Sequence, residues 1–220
     1  MDYCMADIFD EVSEELKHDQ LVKIWKKYSK FIIVGIILII ICIISYQSYI
    51  YWNNKKIESI SEQYFEALEK LENEKYSQSA NLFLKNSENH KDGYKMLSLF
   101  GLAESNYKDG KIDEMILNYK KIYDDESIDV YYRNLSRILS VIKDDISSFD
   151  QQKLLLNPIL NSPSNLQLLA AELEILLYIK FNKIKEAKKA LNILLKRPEL
   201  SFEQKNRLEL INKIYKNDIQ

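Results

Sequence analysis

Few side chains in this sequence could do chemistry together. A metal site or a proton relay needs several histidine, cysteine or acidic side chains in one place. The two histidines, His18 and His90, lie on opposite sides of a long apolar segment. The two cysteines, Cys4 and Cys42, lie before and within that segment, so the rest of the chain has no thiol chemistry. The sequence therefore predicts no metal site and no disulfide.

Acidic pairs and glycines offer no catalytic arrangement either. Asp124-Asp125 and Asp144-Asp145 lie near expected helix ends, and neighbours in sequence do not converge on a substrate as a paired acid and base must. We expect these pairs, like the turn His90-Lys91-Asp92-Gly93, to be solvated turn residues. The four glycines form no phosphate-binding loop. We predict no catalytic residue, no cofactor and no small-molecule substrate, with an enzyme whose site the sequence does not reveal as the alternative.

The long apolar segment runs from Phe31 to Asn54, twenty-four residues without a charge. As a helix it would be roughly 36 Å long, against about 30 Å of hydrocarbon in a typical bilayer. The twelve Phe, Val, Ile and Leu residues between Phe31 and Ile44 together favour insertion by about 4 to 7 kcal/mol. We therefore predict a transmembrane helix over residues 31–52 in contact with the lipid bilayer. The expected anchor residues are Phe31, Ile36, Ile40, Ile44 and Trp52.

Two other interpretations of this segment are a buried core helix and a cleaved signal peptide. The flanks favour a membrane span, because Trp25 and Tyr28 precede the run and four aromatic residues follow its aliphatic part, at the depths where amphipathic rings meet headgroups. Thirty residues precede the run, and no small-x-small cleavage site follows it.

Residues 1–30 are expected to form an amphipathic arm, with Ile8, Val12 and Leu16 at a spacing of four residues. Five lysines lie in the fifteen residues before the span, whereas only Lys55 and Lys56 lie close behind it. This asymmetry predicts a cytoplasmic N-terminus. The arm is either a docking surface for a partner or a solvated, frayed segment.

The part that follows, residues 57–217, is expected to be one soluble domain on the other side of the membrane. Beyond residue 30 the chain has 26 basic and 26 acidic side chains. This even balance lacks the basic surface that binding to nucleic acid requires, so we expect no nucleic-acid partner.

The period of the apolar residues stays helical to the end, which predicts an all-α domain. Around Gly110 the chain resembles a tetratricopeptide repeat: small Ala103 where two helices cross, glycine in the tight turn, and Tyr119 on the second helix. The same template fits around Ala80 and Ala187, and the steps Ala80 to Met115 and Met115 to Ala187 are close to one and two repeat lengths. The breakers are Gly93, Gly101, Gly110, Pro158, Pro163 and Pro198.

A further repeat must fall between the second and the last, with a first helix around residues 131–142, including Ile142, and a weaker second helix around residues 154–160. Ser201 and Gln204 form a capping box that starts a final helix. We therefore predict a single N-terminal transmembrane helix followed by a solenoid of about four degenerate helical hairpins and a C-terminal capping helix. A generic helical bundle with coincidental spacing is the alternative.

A repeat stack offers a groove formed by its first helices, where a segment of a protein partner can lie. Each aromatic side chain among these positions has the alternative of packing against the next repeat. By the template, the residues that face this groove are Phe65, Glu69, Phe100, Glu104, Tyr107, Glu172 and Leu176.

Several segments of the chain resemble the bacterial ancillary SecYEG translocon subunits, which carry a tetratricopeptide-like periplasmic domain. The resemblance covers the segment from Met5 to Val12, Trp25-Lys26-Lys27-Tyr28, the span with Tyr51-Trp52, and the segment from Tyr132 to Arg137. It continues from the segment Asn161-Ser162-Pro163-Ser164-Asn165 to Leu194. The family's prolines and alanines are often replaced here.

The resemblance implies a cell inner membrane protein with a periplasmic domain that binds proteins. Its expected partners are Sec translocon subunits and periplasmic chaperones that receive emerging chains. A coordinator of cell division or envelope assembly that uses the same groove is the alternative, since related periplasmic repeat domains serve that role.

Overall fold

The computed structural model of the chain describes residues 3–89 and 93–215, with side chains from residue 22 onward except those of residues 24 and 89. The side chains on the expected amphipathic face of the arm, those of Cys4 and His18, and the residues His90-Lys91-Asp92 lie outside that description. The described residues are helical without any strand, which confirms the all-α prediction. The helices are α1 (Tyr3–Glu72), α2 (Tyr76–Asn89), α3 (Gly93–Lys108), α4 (Ile112–Tyr123), α5 (Val130–Lys143), α6 (Phe149–Leu160), α7 (Gln167–Lys180), α8 (Ile184–Leu194) and α9 (Phe202–Tyr215).

The chain divides into two units, Met1–Glu58 and Ser59–Gln220. In the first unit, α1 remains helical through the whole apolar segment. The most apolar window of this helix has a mean hydropathy of 2.6, and none of it is buried by the rest of the chain. The expected anchor residues are 49% (Ile40) to 77% (Trp52) exposed. The helix is therefore long and apolar enough to span a membrane, and it is not a buried core helix.

The second unit is a series of helical hairpins followed by one more helix. Residues 59–72 of α1 pair with α2, as Ala67, Ala80 and Phe83 share one core cluster. The next hairpins are α3 with α4, α5 with α6, and α7 with α8. Helix α9 covers the last hairpin, where Leu208 is fully buried beside Leu191 and Leu194. The predicted hairpin stack with a terminal cap is confirmed.

Three of the four hairpin turns have the same backbone geometry. Glu74, Gly110 and Asn182 adopt left-handed φ angles of 60°, 76° and 57°. In each case the next residue, a lysine, donates its N–H to the carbonyl five residues earlier at 2.8 Å. This is a Schellman turn, in which the left-handed residue lets the chain satisfy the last carbonyls of the first helix. The turns are 36 and 72 residues apart, which gives the register of the repeat.

This register corrects the alignment of the first hairpin by one residue. Met115 and Ala187 both lie five residues after the left-handed residue, and the equivalent residue in the first hairpin is Ser79 rather than Ala80. Ser79 is fully buried, and its hydroxyl donates to the carbonyl of Ala67 at 2.8 Å and lies 2.9 Å from the hydroxyl of Ser105. A small polar side chain thus occupies the position where the repeat pattern favours alanine.

The third hairpin turns differently, and its turn corrects the expectation for the acidic pairs. Asp144 is only 2% exposed, and its carboxylate accepts from the N–H groups of Ile146 and Ser147 at 3.0 and 2.8 Å. Gln152 donates to the carbonyls of Asp144 and Ser147 at 3.2 and 3.0 Å. This buried network, rather than a left-handed residue, closes the turn. Asp144 is therefore a structural residue and not a solvated one.

Asp125 also has a structural role, in the loop between α4 and α5. Its carboxylate accepts from Lys95 Nζ at 2.8 Å and from the backbone N–H and hydroxyl of Ser127 at 3.1 and 2.6 Å. These hydrogen bonds, with Lys95 first, lower the pKa of Asp125 to about 2. The side chain joins the start of α3 to the loop before α5.

Two residues expected to break helices lie inside them. Pro158 is near the end of α6, where it removes only one backbone hydrogen bond. Gly101 is in the middle of α3, and a Cβ added there would lie 2.5 Å from the ring of Phe83 on α2. Gly101 is therefore required for the close approach of two hairpins and not for a turn.

We expect Gly110→Val to lower the stability of the domain by about 1–2 kcal/mol, since a β-branched side chain cannot adopt the left-handed conformation without strain. Glu74→Gly should have the opposite effect at the equivalent turn, by about 0.5–1 kcal/mol, because relief of strain outweighs the added freedom of the unfolded chain. Thermal unfolding of the full chain in detergent micelles, followed by circular dichroism, measures both. An unchanged melting temperature in Gly110→Val would contradict the repeat register.

Candidate functional site

The predicted groove residues lie on the first helices of the hairpins, and their environments differ. On α1, Phe65 is 61% exposed and Glu69 is exposed. On α3, Phe100 is half-buried, and its ring meets that of Tyr119 edge to face at 6.1 Å. Phe100 thus packs partly against its own hairpin, which makes it a poor position for testing the groove without disturbing the fold.

Glu104 and Tyr107 both contact a lysine of the next hairpin. Lys143 on α5 forms an ion pair with Glu104 on α3. The same ammonium group lies 4.3 Å from the centre of the Tyr107 ring, within cation–π distance. The first helices of the second and third hairpins are thereby joined at this surface, and two predicted groove residues already have a partner within the chain.

The remaining two residues, Glu172 and Leu176, line a cavity of about 540 Å³. Its walls are formed mainly by α5 and α7, and we call it the α5–α7 cavity. Most of its lining side chains are aliphatic, and several are unusually exposed: Ile142 is 55%, Leu176 43% and Leu169 37% exposed. Aliphatic walls with a few polar groups are typical of binding sites.

The carboxylate of Glu172 is nearly buried in this wall, with 9% of its side chain exposed. Arg207 on α9 binds it in a bidentate arrangement, with Nε and a terminal nitrogen at 2.8 and 2.9 Å from the two carboxylate oxygens. An unpaired carboxylate at this depth would be costly, so the arginine compensates for its burial. The negative charge predicted to face a partner is therefore neutralised from within the chain.

Lys180 is the other charged residue of the cavity lining, and its contacts are different. Its ammonium group donates to the carbonyl of Asp144 at 2.6 Å, and the side-chain oxygen of Gln152 is 3.5 Å away. Both partners are neutral acceptors. Among the described residues, no carboxylate lies within the 4.0 Å of an ion pair from this group. Lys180 thus forms no direct ion pair in the described part of the chain, and the carboxylate of Asp144 is instead bound by the N–H groups of Ile146 and Ser147.

Of the residues that line the cavity, the sequence predicted Glu172 and Leu176 as groove residues and did not indicate the others. Ile142 was predicted on the first helix of the third hairpin, where it lies, but its exposure in the cavity wall was not predicted. Leu169, Leu173 and Leu176 follow a spacing of four and three residues on α7, so a second apolar stripe was visible in the sequence. Lys180 and Arg207 gave no such signal, because their contacts join residues that are 36 and 35 positions apart.

The described residues contain no group of three or more histidine, cysteine or acidic side chains that could hold a metal ion. The chemistry that the cavity offers is therefore that of its lining: aliphatic contact, one neutralised ion pair and one ammonium group bound to neutral oxygens. This arrangement can bind a ligand, and it contains no pair of groups placed to transfer a proton.

Comparison with known families matches residues 23–199 to the tetratricopeptide repeat-like domain. The chain belongs to this family, since the match covers most of its 220 residues. The matched range contains the apolar segment and all four hairpins, whereas α9 lies beyond it. No curated protein and no solved structure matches the chain at a significant level.

Removal of Arg207 should destabilise the domain more than neutralisation of its partner does. Arg207→Ala leaves the Glu172 carboxylate, with 9% of its side chain exposed, without a partner, and we expect the larger loss of stability of the two variants. Glu172→Gln keeps one hydrogen bond and should cost less than about 1 kcal/mol. Chemical unfolding of the full chain in micelles measures both, and the double variant should recover part of the loss. Equal losses in the two single variants would show that burial of the carboxylate is not the dominant effect.

Proposed function

We propose that this protein is an adaptor anchored in the bacterial inner membrane, accessory to the Sec translocon, that connects it with periplasmic chaperones. The observation that carries the proposal is the α5–α7 cavity, an aliphatic site on the first helices of a repeat stack. Repeat stacks of this kind typically bind segments of other proteins, and a non-catalytic scaffold agrees with the groups that line the cavity. The connection to the translocon and to chaperones rests on the sequence resemblance.

Anchoring has a direct consequence for such an adaptor. A helix that spans the membrane confines the binding surface to a thin layer beside it. Weak contacts with other membrane-bound partners then act at a high effective concentration, and avidity can rise by orders of magnitude without any new contact. A modest cavity is therefore sufficient, provided that its partners are held at the same membrane.

The proposed topology places the N-terminus in the cytoplasm and the repeat domain in the periplasm. The support is the lysine excess ahead of the span, with five lysines before it and only Lys55 and Lys56 close behind. The family match adds that the apolar segment and the repeats belong to one family model.

Protease added to bacterial spheroplasts that express the chain should digest residues 57–217 and leave a membrane-bound fragment with the arm. This outcome follows from the lysine asymmetry, and immunoblotting with tags at both ends measures it. Carbonate washing is the control for a true span, since a peripheral protein would be released. A protected C-terminal tag would contradict the topology, and recovery of the whole chain in the cytosolic fraction would contradict the anchor.

A photoreactive p-benzoylphenylalanine at position 176 should crosslink to translocon subunits or periplasmic chaperones in intact cells. Leu176 is suited to this probe because it is 43% exposed within the cavity, so the fold tolerates the change. Ile193 on α8 provides the matched control, since it is 61% exposed and is not part of the cavity lining. Mass spectrometry identifies the products. Products that contain division or peptidoglycan factors would favour the alternative role, and equal products from both positions would contradict the cavity as the binding surface.

A further inference from the structure

We propose that the α5–α7 cavity selects acidic segments: it binds a protein segment in which two or three aliphatic side chains lie next to an aspartate or glutamate. The aliphatic residues contact the walls, and the carboxylate binds Lys180. This inference rests on the proposed function, in which the cavity is the site where protein partners bind. It adds the chemistry of the bound segment.

The aliphatic requirement comes from the wall. Ile142 and Leu176 lie beside a well-packed core, yet about half of each side chain is exposed. Leu169 extends the same surface along α7. Contact with an aliphatic ligand would remove this apolar area from water, and a purely polar segment would not. The bound segment must therefore supply apolar side chains at this surface.

The acidic requirement comes from the three charged residues that line the cavity, Glu172, Lys180 and Arg207. Glu172 and Arg207 neutralise each other in a bidentate pair. Lys180 donates only to the neutral oxygens of Asp144 and Gln152. The side chains that line the cavity thus carry one positive charge in excess. The carboxylate of Asp144, whose carbonyl binds Lys180, is not part of the lining and accepts from the N–H groups of Ile146 and Ser147. An acidic residue of the ligand would pair with Lys180, whereas a basic residue would face two cations with no free carboxylate to accept it.

The openness of the cavity favours a protein segment over a lipid or another small molecule. Pockets for small molecules commonly bury 70–90% of the ligand's surface. The wall residues Ile142 and Leu176 are about half exposed, so this wall faces solvent and does not enclose the space beside it. A polypeptide accommodates this geometry, because it can place alternate side chains against the wall and continue past it on both sides.

The test uses the full chain in nanodiscs of zwitterionic phospholipid, with empty nanodiscs as the correction for lipid binding. Two fluorescent 14-residue peptides have the same leucines at helical spacing, and their polar positions are all glutamate in one and all lysine in the other. The glutamate peptide should bind about three- to fivefold more tightly, as expected for one partly exposed ion pair. Fluorescence anisotropy measures both dissociation constants.

Four variants separate charge from apolar contact. Lys180→Gln keeps a donor for the Asp144 carbonyl, and with it the two peptides should bind with about equal affinity. Lys180→Arg should retain the tighter binding of the glutamate peptide. Ile142→Gln should weaken both peptides equally. Ile193→Gln is the matched control, because Ile142 and Ile193 are each the second-last residue of a helix and are 55% and 61% exposed. It should change neither affinity.

Equal affinity for the two peptides, or an unchanged preference in Lys180→Gln, would overturn the acidic selection. If Ile142→Gln still weakened both peptides, the cavity would remain a binding site and the proposed function would stand. Absence of binding by either peptide would also overturn the inference, and crosslinking from position 176 would then decide the proposed function separately. Displacement of the glutamate peptide by oleate at matched concentration would assign the cavity to lipid amphiphiles instead.

Discussion

An isolated helical hairpin cannot bury its own apolar face, and the second unit of this protein depends on that constraint. Each core cluster is completed by a helix that follows its own hairpin. Leu102 of α3 completes the cluster of the first hairpin, and Leu139 of α5 packs against that of the second. Ala170 and Leu177 of α7 complete the third, and Leu208 of α9 completes the last. Stability is therefore shared between neighbours, and the last hairpin needs a cover.

Close packing between hairpins is achieved with polar and small residues where a more regular repeat would have alanine. Gly101 admits the ring of Phe83, and Ser105 donates to the carbonyl of Gly101 at 2.8 Å while it contacts Ser79. The hydroxyls of Ser98 and Ser140 are buried without a hydrogen-bond partner in the described chain. Such groups cost stability, so the stack relies on its aliphatic clusters.

The sequence predicted those features that depend on local pattern. The apolar helix followed from composition, the left-handed residue at Gly110 from turn chemistry, and the start of α9 from Ser201 and Gln204, whose reciprocal hydrogen bonds are 3.1 and 3.2 Å. The sequence did not predict the role of a residue where that role depends on a contact with a residue far away in the chain. Gly101 looks like a helix breaker until Phe83 is placed beside it. Asp144 looks solvated until the third hairpin closes around it.

The same distinction applies to the cavity. The position of Glu172 on the first helix of its hairpin was predictable from the repeat, but its charge is cancelled by Arg207, thirty-five residues later. Arg207 lies on α9, beyond residue 199 where the family match ends. The lining of the cavity is thus shared between repeats inside the matched range and a cap helix outside it. A relative with the same four hairpins but another residue in place of Arg207 would have Glu172 uncompensated, and its cavity would carry no excess of positive charge. The charge of the cavity lining therefore depends on the cap helix as well as on the repeats.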